Sequence, residues 1–68
     1  MALHDLLTDR QWKVYRLIFE GKKYREIGLI LGYAESTIDG YAQRIFNNLG
    51  VNSRAEATHY AFEHRLFQ

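Results

Sequence analysis

The chain has 68 residues, a length expected to form one domain with no room for a separate sensor, receiver or catalytic domain. Hydrophobic residues make up 47% of it and cysteine is absent, which marks a folding chain and excludes disulfides and thiolate metal sites. The net charge of +1, nine Lys and Arg against eight Asp and Glu, is too balanced to announce a nucleic-acid partner by itself.

Apolar residues recur at helical spacing, with weak strand-type alternation and no proline, so an all-α fold is expected. Thr8 is placed to cap a first helix over about 9–20. Gln11 three residues on completes a capping box, and Leu7 is set to staple onto Trp12. Val14, Tyr15, Leu17 and Ile18 form its apolar face and Gly21 ends it. A short second helix over about 24–31 carries Ile27, Ile30 and Leu31 inward and stops at Gly32. A third over about 35–49 has Ile38, Tyr41, Ile45 and Leu49 at i, i+3, i+7 and i+11, one continuous stripe that Gly50 stops. Ser53 with Glu56 is a second capping box and opens a fourth helix over about 54–65.

The second helix, the tight turn at Gly32 and the third helix read as a helix-turn-helix. Gly28 lies where close approach excludes a side chain, and Gly32 supplies the positive φ that ends the second helix. An ordinary helical hairpin would share several of these features.

The string L7-T8-D9-R10, then E26-I27-G28 with L31-G32, T37-I38, and I45-F46-N47-N48-L49-G50-V51-N52-S53-R54-A55-E56-A57 resembles the LuxR-type (GerE-like) DNA-binding domain over about residues 7–67. The resemblance implies a four-helix domain whose third helix enters the major groove of double-stranded DNA and whose fourth pairs with a second copy in a homodimer. It implies base contacts from Asp39, Gly40 and Gln43. It implies phosphate contacts from Lys22, Lys23, Tyr24 and Arg25, with Thr37 and Arg44 from the third helix. Several positions depart from the usual pattern. Ala34 replaces a capping serine, Asp39 a frequent lysine, Tyr41 a histidine and Asn48 a lysine, and Gly40 has no side chain with which to read a base. Residues 35–49 hold Glu35 and Asp39 against Arg44, a net charge of −1 where a helix facing phosphate is normally positive.

Two functions follow. The first is a small transcription regulator that binds DNA as a dimer, standalone because the sequence begins at Met1 and is spanned by one domain. The second keeps the LuxR-type shape but binds a LuxR-type regulator or another protein, as an anti-activator or adaptor. The acidic third helix favours the second, as do five Tyr, four Phe and one Trp, more than the core needs. A further apolar stripe on the fourth helix, Ala55, His59, Phe62 and Leu66, fits a dimer or partner interface under either function, while Tyr60 and Ala61 face the core.

An enzyme is not expected. Glu56 and His59 are half of a di-metal spacing with no second copy. His59 and His64 share no helical face, His4 is remote, and Ser36 and Ser53 have no base nearby in sequence. No cofactor or metal is expected. Unbroken apolar stretches are far shorter than the roughly 20 residues of a spanning helix, and MALHDLLTDR has no signal-peptide pattern. A cytoplasmic location and no membrane contact are expected.

Overall fold

The structure, a computed structural model, describes the backbone of residues 3–68 and the side chains from Asp5 onward; Met1, Ala2 and the side chains of Leu3 and His4 lie outside the described residues. A 3-10 turn over Leu3–Leu6 leads into four helices: α1 Asp9–Phe19, α2 Tyr24–Leu31, α3 Glu35–Leu49 and α4 Arg54–Glu63. No strand occurs among the described residues, and the fold is all-α.

Thr8 Oγ1 accepts from the Gln11 amide at 3.1 Å, and Gln11 Oε1 accepts from the Thr8 amide at 2.8 Å. These bonds satisfy two donors that a helix start otherwise leaves to water, and they fix the entry of α1. The α4 cap differs from the expected box. Ser53 Oγ accepts from the Glu56 amide at 3.1 Å, but the Glu56 carboxylate reaches past Ser53 to the Asn52 amide at 2.6 Å.

The core forms around α3, which packs against α1 and α2 and touches α4. Val14, Tyr15 and Ile18 of α1 meet Ile27 of α2 and Ile38, Ala42, Ile45, Phe46 and Leu49 of α3, all buried. From α4 only Ala57 and Ala61 are buried, and such small side chains let its backbone come close to α1. Gly28 is buried because the chain doubles back over it: its carbonyl accepts from the amides of both Gly32 and Tyr33 at 2.8 Å, and a Cβ there would collide with the Tyr33 carbonyl oxygen. The close neighbour is thus the turn backbone rather than another helix.

Three expectations need correction. Ile30 does not face inward: it is 56% exposed, and its neighbour Leu29 is 77% exposed. Tyr24, Ile27, Gly28 and Leu31 occupy the inward arc of an eight-residue helix, and at 100° per residue position 30 falls outside that arc. The fourth helix ends at Glu63, not 65. Arg65 adopts φ 52°, and the amides of Arg65 and Leu66 bond back to the carbonyls of Phe62 (3.3 Å) and Ala61 (3.1 Å). This is the turn that glycines usually supply at helix ends. It sends Leu66 and Phe67 back onto the core, so Leu66 leaves the α4 stripe. The aromatic load is also accounted for. The Phe67 ring lies 5.8 Å from Trp12, 5.0 Å from Tyr15 and 5.2 Å from Phe19, so the returning tail closes one face of α1 with stacked and edge-on rings.

Candidate nucleic-acid interface

The α3 helix carries its buried row on one side, which turns Ser36, Gly40, Gln43 and Asn47 outward, all exposed. Ala34 caps it with no side-chain acceptor, and the Ala34 carbonyl takes the amides of Thr37 and Ile38 at 3.0 and 3.2 Å. Gly40 and Gln43 stand in the outward row. Asp39 is exposed too, but a quarter-turn round toward α2. A Cβ on Gly40 would have no atom within 4 Å.

One flank of this row is built by the start of α2. Lys23, Tyr24 and Arg25 line a shallow cleft of about 490 Å³ together with Glu35 and Arg54. Lys23 sits at the cap position of α2 and offers no acceptor; instead Glu26 Oε1 accepts from the Lys23 amide at 2.8 Å. Lys22 is half-buried and lies outside this lining. Arg54 holds the segment in place. Its Nη2 donates to the Ile18 carbonyl at 3.1 Å and to the Lys22 carbonyl, and its guanidinium lies 5.5 Å from the Tyr24 ring centroid. Burial pushes the Tyr24 hydroxyl above its ordinary value; Arg54 works against that and Asp39 adds to it, so the acidic residue of α3 acts electrically on this flank.

The other flank joins α3 to the start of α1. Thr37, Gly40, Tyr41 and Arg44 line one cleft of about 270 Å³. Tyr41 and Arg44 also line an adjoining one of about 340 Å³ with Thr8, Arg10 and Gln11. Arg10 Nη1 donates to the Tyr41 hydroxyl at 3.4 Å, and the guanidinium lies 5.8 Å from the Tyr33 ring. The bond to Tyr41 is the main reason that the Arg10 guanidinium is held above its ordinary value. The phosphate-type residues expected from the sequence therefore divide: Lys23, Tyr24 and Arg25 on the α2 flank, Thr37 and Arg44 on the α1 flank.

On α4, Ala55, His59 and Phe62 are exposed, Phe62 by 62% although its ring lies 5.0 Å from that of Phe19. His59 Nε2 pairs with Glu63 one turn on, and the Tyr60 and His64 rings lie 4.2 Å apart. Among the described residues no group of three His, Asp or Glu side chains is set to hold a metal ion, and no helix is long and apolar enough to cross a membrane.

Two residues that shape the site, Arg10 and Arg54, received no role from the sequence. Both stand in the first turn of a helix, where the dipole disfavours a cation. That placement signals a partner elsewhere: the Tyr41 hydroxyl for Arg10, the C-terminal carbonyl of Ile18 and that of Lys22 for Arg54. Asn48 also acquires a function, donating to the Leu6 carbonyl at 3.3 Å and tying the end of α3 to the N-terminal turn.

Comparison with known proteins gives the family. The GerE profile, described as "Bacterial regulatory proteins, luxR family", matches residues 5–61. The chain is 32% identical over 66 residues to the response regulator protein VraR of Staphylococcus aureus (strain NCTC 8325 / PS 47), and equally to VraR of Staphylococcus epidermidis and of Staphylococcus saprophyticus. The match covers 97% of this chain and 32% of those proteins, so the chain spans about a third of the length of these relatives. With its four helices, its glycine-ended turn and a family match over most of its length, the chain belongs to the luxR family of bacterial regulatory proteins.

Proposed function

We propose that this chain is one transcription-regulating domain that binds duplex DNA with α3 in the major groove, as a homodimer joined through the outer face of α4. The observation that carries the reading is the exposed row Ser36, Gly40, Gln43 and Asn47 on a helix backed by a full core row and bordered by cationic side chains. Gln43 reads adenine, for which a side-chain amide is the matching donor and acceptor, and Asp39 accepts from cytosine N4. Lys22, Lys23, Tyr24 and Arg25 hold phosphate on one side, Thr37 and Arg44 on the other. Ala55, His59 and Phe62 form the surface for the second copy.

The test is a salt titration of binding to mixed genomic duplex fragments by fluorescence anisotropy, with sedimentation on the same samples. Affinity that falls linearly on a logarithmic salt scale is the expected result. A folded protein that binds no duplex at low salt overturns the DNA reading, and a monomer at all concentrations overturns the dimer.

A second reading, an adaptor or anti-activator for another protein, draws on Leu29 and Ile30, adjacent apolar side chains left in solvent on the outer face of α2. Glu35 and Asp39 on α3 favour it too. The same titration separates the two, because an adaptor leaves duplex unbound.

A further inference from the structure

We infer that Arg10, Tyr41 and Arg44 form a second phosphate-holding cleft, which grips the DNA strand opposite the one held at the start of α2. The inference rests on the DNA reading above and adds two residues, Arg10 and Tyr41, to the contact surface.

Arg10 comes from the first turn of α1 and Arg44 from the third turn of α3, yet both line the same cleft, with Tyr41 between them. No ion pair among the described residues involves either arginine. The nearest carboxylate in sequence, Asp9, lines a neighbouring cleft that Arg10 also borders, with Lys13, Leu31 and Tyr33, and it is not in the lining shared by Arg10 and Arg44. Two arginines thus line one cleft whose walls hold no carboxylate. The Tyr41 hydroxyl spends an acceptor lone pair on Arg10 and keeps its own hydrogen to donate outward. The set offers planar N–H donors and one O–H donor and accepts nothing strongly, the pattern that suits the oxygens of a phosphodiester.

The position of the cleft selects duplex backbone as the source. It adjoins the space lined by Thr37 and Gly40, so it opens beside the outward row of α3. The α2 flank lies on the opposite side of the same helix. A helix about 10–12 Å across fills a major groove about 12 Å wide, which leaves one phosphate strand along each side. A positive cleft on each flank matches that arrangement. It also offsets Glu35 and Asp39, which both turn toward the α2 side.

The experiment compares salt slopes of duplex binding for wild type, Arg10→Gln, Arg10→Lys, Arg44→Gln, Tyr41→Phe and, on the opposite flank, Lys23→Gln. Circular dichroism melts of each variant check that it is folded. Arg10→Gln and Arg44→Gln should each weaken binding to cognate and scrambled duplex alike and flatten the slope by about 0.9. Arg10→Lys should keep the wild-type slope. Tyr41→Phe should weaken binding with the slope unchanged, because it removes a hydroxyl and no charge. A wild-type slope in both Arg10→Gln and Arg44→Gln, with a flattened slope in Lys23→Gln, overturns the second cleft and leaves the DNA reading standing. Absence of duplex binding by folded wild type overturns both.

Discussion

The Tyr15 hydroxyl donates to the carbonyl of Ala57 across 2.7 Å, joining the middle of α1 to the first half of α4. Tyr15 has no exposed surface, and this bond satisfies its hydroxyl inside the core. It links α4 to α1 where Ala57 and Ala61 are the buried residues of α4.

Tyr15→Phe should cost about 1 kcal/mol, the net worth of a buried neutral hydrogen bond, read as a melting temperature lower by about 4–8 °C. The pH dependence follows from the same burial, which pushes the hydroxyl from 10.0 up to about 12, with Tyr60 adding to it. The folded state keeps its proton where the unfolded state has lost it. This stabilisation is therefore complete below pH 10 and disappears as pH rises toward 12. That component of the alkaline loss should be missing from Tyr15→Phe, and equal alkaline loss in the two proteins would contradict the assignment.

Gly28→Ala should destabilise the fold by about 1–3 kcal/mol in urea unfolding, because its methyl group meets a backbone carbonyl that must move. The Gly28–Tyr33 turn sets the angle between α2 and α3, so duplex affinity should fall as well. An unchanged denaturation midpoint would mean that the turn is free to shift.

Arg54→Lys should fail to replace arginine. A lysine ammonium ends short of the Nη2 atom from which both carbonyls accept, and it has no planar group to set over Tyr24. A loss of about 1.5–3 kcal/mol is expected, the range for hydrogen bonds to charged groups. Duplex affinity should drop with an unchanged salt slope, since the charge is retained. Full stability in Arg54→Lys would show that the guanidinium fork is dispensable.

Arg65→Gly should raise stability by about 0.5–1 kcal/mol. A left-handed residue other than glycine costs roughly 1–2 kcal/mol, against which the greater freedom of glycine in the unfolded chain sets about 0.4–1 kcal/mol. A lower melting temperature would mean that the Arg65 side chain contributes more than its backbone costs.

Asp39→Lys should tighten non-specific duplex binding and steepen the salt slope by about 0.9. An unchanged slope would put α3 away from phosphate.

The course of the backbone was legible because it is written in local chemistry. Thr8 with Gln11 begins a helix, and Gly21, Gly32 and Gly50 take the positive φ that stops three of them. The end of α4 was not legible, since an arginine does there what glycine does elsewhere, held by the amide bonds back to Phe62 and Ala61 and by the packing of Leu66 and Phe67. Ile30 was misread because Leu29, Ile30 and Leu31 run consecutively round a two-turn helix, so its apolar residues do not mark a single inward direction. For the interface, the order of the chain hid what distance reveals. Arg10 and Arg44 are far apart in sequence yet line one cleft, and the phosphate-type residues divide between two sides of one helix.

The open space at Gly40 has a consequence for how this domain can change its target. The outward row holds a position where a new side chain displaces nothing in the protein. Most replacements there would also favour the helix, by up to about 1 kcal/mol relative to glycine. On the proposed DNA reading, a side chain added at that place meets the base edges without disturbing the fold. On that reading, variation at this position is uncoupled from the maintenance of the core.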